Sequence, residues 1–317
     1  MKTIAFVIPW SGKLPDYFQV WLQSCASNPS VDFLLFTSEP MPGPMPENVK
    51  HFPLDFEQLR GMFQANFDFP ICMDTPYKFC DFKPSYGEVF AKYLSGYDFW
   101  GHCDIDLIWG DIRRFVTEDV LEQYNRIYTR GHCTIYRNIP EVNAWYRTLP
   151  HEGLLDWKYV FTHEGSFCFD EWGDGGLSRI IKENGIPNYD VMDMADLDIS
   201  KGWLSPRWIS EYQSEETNYF EWQNGKLWVC TAEGMRKEVL YVHFQKRKLT
   251  FEPYDKDHFY LFAVGLISSD RSHIGKRDRQ KEKNFERNYW KNRIIGKLGR
   301  MCKGSVSYTH LRAHETG

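Results

Sequence analysis

Short apolar runs separated by amphipathic and polar stretches organise the first half of the chain. Residues 4–8 and 31–36 are apolar runs of strand length, and residues 17–27 between them place apolar side chains at helical spacing. The three segments predict a β-α-β opening, with Pro9, Trp10, Ser11 and Gly12 on the loop after the first strand. Residues 49–52 predict a third strand and residues 56–67 a helix or a lid. In CDFKPSYGEVFAKYLSGYDFW, Pro84 suits the first turn of a helix. Tyr86, Val89, Phe90, Tyr93 and Leu94 give that helix an apolar stripe, and Ser95-Gly96 ends it. Residues 97–103 then predict a buried strand.

The second half continues the alternation. Residues 117–124 predict a short helix capped by Thr117, residues 133–136 a strand, and residues 141–148 a helix behind Pro140. SFCFDEWGDGGLSRIIKENG predicts a strand ending at Phe169, an acidic glycine-rich turn, and a helix closed by Gly185. Residues 219–223 and 226–230, joined by Asn224-Gly225, carry the two-residue turn of a hairpin. Residues 238–244 predict a late strand running into HFQKRK. No internal repeat or low-complexity linker interrupts residues 1–269, which read as one α/β domain with a mixed central sheet flanked by helices.

The chemistry concentrates after residues 97–103. Asp104 and Asp106 leave that strand two residues apart, so in extended chain both carboxylates point the same way. Paired hard oxygen ligands suit Mg2+ or Mn2+ shared with substrate phosphates, and ligands bind open α/β sheets at the carboxyl ends of strands. An Asp-x-Asp triplet alone is more often a solvated turn; the flanking aromatic strand and Leu107, Ile108 and Trp109 argue against that here. There is no Gly-x-Gly-x-x-Gly and no Walker A sequence, which disfavours dinucleotide and P-loop ATP binding.

Composition narrows the class. Aromatic residues make up 17% of 317 residues, with 12 Trp, a bias that serves either an aromatic core or the apolar faces of sugar rings. The 8 Cys show no paired spacing, so a structural zinc site is not expected. No signal h-region or membrane-length apolar run is present, which predicts a cytoplasmic protein with reduced thiols. Charge is uneven: residues 270–303 hold 12 Lys or Arg against 4 Asp or Glu, a balance of +8, leaving −13 on residues 1–269 of the total −5. That layout disfavours nucleic acid as a partner and predicts a basic amphipathic helical arm over 270–303 that meets an anionic membrane surface. Residues 304–317 are set apart, because VSYTHLRAHET resembles the translation of a sequencing-library adaptor.

The order of these features resembles GT-A nucleotide-sugar glycosyltransferases with an Asp-x-Asp motif, of the bacterial polysaccharide-biosynthesis type. It rests on CDFKPSYG followed by YDFWGHCDIDLIWGD, an acidic Gly-Trp segment about 65 residues later, and a late strand-terminal His, over roughly residues 1–250. The resemblance implies a GT-A fold and a metal-dependent, inverting hexosyltransferase. Its donor would be a nucleotide sugar, expected to be a UDP-sugar, and its acceptor a surface-polysaccharide or lipid-linked glycan. Asp104, Asp106 and His243 would hold Mn2+ or Mg2+. Pro9, Trp10, Asp81, Lys83, Asp104 and Lys246 would bind the donor. Asp170 and Glu171, with Asp174 nearby, are the candidates for the base that deprotonates the acceptor. Each has a structural alternative: helix capping for the acidic residues, core packing for Trp10, a strand histidine for His243. Two rival functions remain: a haloacid-dehalogenase-like phosphatase, and a non-catalytic carbohydrate-binding protein on a transferase fold.

Overall fold

The computed structural model describes residues 1–302 except 215 and 246, without the side chains of 174 and 296–302. The first half forms β1 (Ile4–Pro9), α1 (Phe18–Ala26), β2 (Val31–Phe36), β3 (Val49–Phe52), α2 (Phe56–Gln64), β4 (Phe99–Cys103), β5 (Leu107–Trp109), β6 (Arg126–Arg130) and β7 (Cys133–Arg137). The central sheet has the order β3-β2-β1-β4-β7-β6. Its first four strands run parallel, while β7 pairs antiparallel with both β4 and β6. Alternation along β1 explains why this sheet is covered on both faces. Ile4, Phe6 and Ile8 pack with Phe18 and Trp21 of α1, whereas Ala5 and Val7 face Leu59 and Phe63 of α2. This is the mixed sheet flanked by helices expected from the sequence.

The remaining strands are β8 (Ala195–Leu197), β9 (Pro206–Arg207), β10 (Tyr219–Gln223), β11 (Lys226–Cys230), β12 (Arg236–Glu238), β13 (Tyr241–His243), β14 (Thr250–Phe251), β15 (His258–Phe262) and β16 (Leu266–Ser268). One sheet has the order β12-β11-β10-β15-β16-β14, and a small one has the order β5-β13-β8-β9. The hairpin β10–β11 turns at Asn224 (φ 48°) and Gly225 (φ 80°), the left-handed pair its sequence requires. The acidic segment is followed by α3 (Leu177–Glu183), and the chain ends its described part in α4 (Arg279–Cys302).

Three expectations change. The segment behind Pro84 is a series of short helical turns, with α-helix only over Tyr86–Val89, although Tyr86, Val89, Phe90 and Leu94 are buried as expected. No strand ends at Phe169: the N–H groups of Phe167 and Phe169 donate to the Asp81 carboxylate instead of to a neighbouring strand. Residues 238–244 are not one strand. Arg236–Glu238 belongs to the large antiparallel sheet and Tyr241–His243 to the small one, with Val239 and Leu240 crossing between them.

Candidate metal centre

Asp104-Ile105-Asp106 is the link by which the chain leaves the central sheet at the end of β4 and enters the small sheet as β5. Across the small sheet Leu107 is level with His243, His243 with Asp196, and Asp196 with Arg207. Three strands of three residues each thus carry a late His and an unforeseen Asp to the Asp-x-Asp link. Oxygens of Asp104 and Asp106 and a ring nitrogen of His243 lie within 4.8 Å of one another. The His243 Nε2 atom is 3.4 Å from Asp106 Oδ1. Two carboxylates and an imidazole at that spacing fit one divalent cation with bonds of ~2.0–2.2 Å.

A hydrogen bond on the far side sets the direction of His243. Its Nδ1 atom is 2.8 Å from Asp196 Oδ1, which leaves Nε2 for the Asp-x-Asp side. Asp196 also accepts from Gln245 at 2.5 Å and lies 3.5 Å from the Arg207 guanidinium. Burial works against a charge on His243, but bonding to Asp106 and Asp196 outweighs it and raises the imidazole to about 10. His132 packs against His243 with ring centroids 4.3 Å apart, and its Nδ1 meets the Tyr241 hydroxyl at 2.9 Å. Burial and the neighbouring His243 hold His132 well below the usual imidazole range. His132, Asp196 and His243 are close enough to form a second ligand set that shares His243. The Tyr17 phenol is raised by burial and by the charges of Asp106 and Asp104.

Lys83 connects this cluster to the acidic turn. Its Nζ atom donates to Asp104 Oδ1 at 2.8 Å and to the Gly131 carbonyl at 2.7 Å, and lies 3.4 Å from Asp170 Oδ2. Burial opposes its charge, yet Asp104, Cys80 and Asp170 keep its pKa well above the ordinary value. Asp170 is 3% exposed, and burial, only partly opposed by Lys83, raises its carboxyl to about 7. Glu171 is half-buried and accepts the Gly131 N–H at 3.1 Å. A Cβ on Gly131 would stand 2.4 Å from Glu171 Oε1 and 2.7 Å from Asp170 Oδ2, so the β6–β7 turn approaches the acidic segment only as glycine.

The structure therefore brings Lys83, Asp104, Asp106, Asp170, Glu171 and His243 together. It engages Asp81 elsewhere: its buried carboxylate is 3.0 Å from Lys78 Nζ and accepts the Phe167 and Phe169 N–H groups. Pro9 ends β1, two residues beyond the pairing of Val7 with His102 near the end of β4, the strand that leads into Asp104. Trp10 is half-buried against the core, and its indole N–H donates to Gly12 O at 2.7 Å. Lys246 lies outside the described residues, as does the side chain of Asp174. Sequence reading missed Asp196, His132, Gly131, Arg207 and Tyr17. A Gly-His dipeptide between two strand segments was the one signal for the second and third of these.

A family model matches residues 6–270. The chain belongs to DUF6625, a family of unknown function. No curated protein matches it. Among solved structures, the galactosyltransferase LgtC in complex with donor and acceptor sugar analogs is 10% identical, covering 61% of this chain and 75% of that one with a TM-score of 0.33. The apo form of mouse xyloside xylosyltransferase 1 is 9% identical, covering 78% and 99% with a TM-score of 0.39. Both likenesses are distant, and neither assigns an activity to this member of DUF6625.

Proposed function

We propose that the protein is a divalent-metal-dependent GT-A glycosyltransferase that moves a hexose from a nucleotide sugar, expected to be a UDP-sugar, to a surface-polysaccharide or lipid-linked glycan. The observation that carries this reading is the convergence of Asp104, Asp106 and the Nε2 side of His243 at the end of β4, with Lys83 and Asp170 alongside. Mn2+ or Mg2+ held by these three residues would neutralise charge on the departing nucleoside diphosphate. Pro9, at the end of β1, and Trp10 just after it would border the donor, and Lys83 would supply a second positive charge near its phosphates. Asp170, near neutrality in pKa, suits a base that takes the acceptor's proton. Glu171 would hold the Gly131 turn in place, and Lys246 remains a donor-phosphate candidate on sequence grounds. A single base in this position supports inversion.

The reading places the enzyme in the cytoplasm, on residues 1–269, with the 270–303 arm on the inner membrane face. No helix of the described residues is long and apolar enough to cross a membrane. The experiment that tests the proposal is a screen of nucleotide sugars for Mn2+-dependent protection against thermal unfolding, followed by product NMR. At least one sugar nucleotide should raise the melting temperature only with the metal, and the product should carry the opposite anomeric configuration to the donor. Protection that persists in EDTA removes the metal role, and retained configuration removes inversion.

A further inference from the structure

Trp208 is 55% exposed and sits at φ +69°, in the left-handed region that bulky side chains avoid. A glycine would adopt that backbone freely, so the chain holds an indole in solvent at a conformational cost. Burial does not repay it. The residue's position does point to a use. Trp208 directly follows Arg207, whose guanidinium reaches Asp196 at 3.5 Å and Asp198 at 3.7 Å, and Asp196 orients His243. On its other side the Arg130 guanidinium lies over the indole, 5.3 Å from the ring centroid. Arg130 immediately precedes Gly131 and His132, the turn that touches Lys83, Glu171 and His243. The indole therefore bridges the two chain segments that build the acidic cluster.

An exposed aromatic face bordered by charged hydrogen-bonding side chains matches a pyranose ring, which has apolar C–H faces and a hydroxyl edge.

We propose that Trp208 is the stacking platform for a pyranose ring at the rim of the metal site, with Arg130 fixing the indole. This rests on the transferase reading for its purpose but not for its test. The probes are methyl β-D-galactopyranoside, methyl β-D-glucopyranoside, methyl α-D-mannopyranoside, UDP and UDP-glucose, the last two with Mg2+. Saturation-transfer NMR is recorded for the wild type, Trp208→Gly and Trp208→Phe. Sugar-ring protons of at least one probe should receive saturation in the wild type, fall by about tenfold in Trp208→Gly and largely return in Trp208→Phe. Uracil-proton saturation should stay constant, and Trp208→Gly should melt no lower than the wild type because glycine relieves the left-handed backbone. Saturation of the methyl glycosides assigns the platform to the acceptor; saturation confined to the glucose of UDP-glucose assigns it to the donor. Equal ring saturation in the wild type and Trp208→Gly, or none in the wild type from any probe, overturns the proposal. If UDP fails to bind while a methyl glycoside binds through Trp208, the transferase reading falls and the platform stands.

Discussion

Lys83 carries a buried charge between Asp104 and Asp170, so it ties the state of the proposed metal ligand Asp104 to the state of the candidate base. Asp170 is raised to about 7, chiefly by burial, and its ordinary value is 3.8. The folded state therefore binds this proton more tightly than the unfolded chain does. The associated stability is fully present below the unfolded value and is lost as pH rises through about 7, while the competence to act as a base appears over that same rise. Turnover should climb through pH ~7 in the wild type, and Asp170→Asn should lower kcat by about 10²–10⁴-fold and remove that limb. An unchanged pH profile in the variant would reassign the base. His243 gives a second prediction. Without a cation it holds a proton up to about pH 10, and a metal-ligating imidazole must be neutral. Mn2+ uptake at neutral pH should release a proton, read by calorimetry in buffers of different ionisation enthalpy. No buffer dependence would mean that the cation binds without His243.

Short elements decide how much of the site could be read in advance. Asp104 and Asp106 were legible because the run before them, residues 97–103, is mostly apolar or aromatic, and His243 because it stands at a strand end before a basic run. Asp196 was not. It lies on β8, three residues long, and gains meaning only when β13 sets it beside His243. No periodicity can form over so few residues. Gly131 was hidden for a related reason: its need for glycine comes from Glu171 and Asp170, about forty positions away in the chain. Phe169 looked like a strand end because its surroundings are apolar, but Asp81 captures the N–H groups a strand would share. The clasp makes Asp81 structural in its contacts. Asp81→Ala should cost about 3–5 kcal/mol in denaturant unfolding, because Lys78 would be left as an uncompensated buried charge. A loss of nucleotide binding at unchanged stability would instead return Asp81 to the donor site.

At the scale of the whole molecule, the basic arm is attached close to the site. In α4, Glu282 is buried against Arg277, Phe285 lies under the Arg247 guanidinium at 4.6 Å, and Glu286 accepts the Gly202 N–H at 3.0 Å. Arg247 in turn donates to the carbonyls of Asp198 and Lys201, on the segment that follows Asp196. Beyond this anchor Trp290, Ile294 and Ile295 are exposed among Lys and Arg residues. The reading of an arm that lies on an anionic surface predicts salt-sensitive co-sedimentation with anionic but not neutral vesicles, each basic residue adding ~1 kcal/mol near the surface. A chain ending after Glu286, which keeps the anchor, should lose that partitioning; equal partitioning of both chains would leave the arm a packing role alone. The central claim is that Asp104, Asp106 and His243 bind a divalent cation that in turn binds the donor. It is tested most directly by calorimetric titration of UDP in the presence and absence of Mn2+, with the wild type and Asp106→Asn. The account predicts Mn2+-dependent UDP binding in the wild type and a loss of at least about tenfold in the variant, which keeps its fold. UDP binding at full strength in EDTA, or in Asp106→Asn, would contradict it.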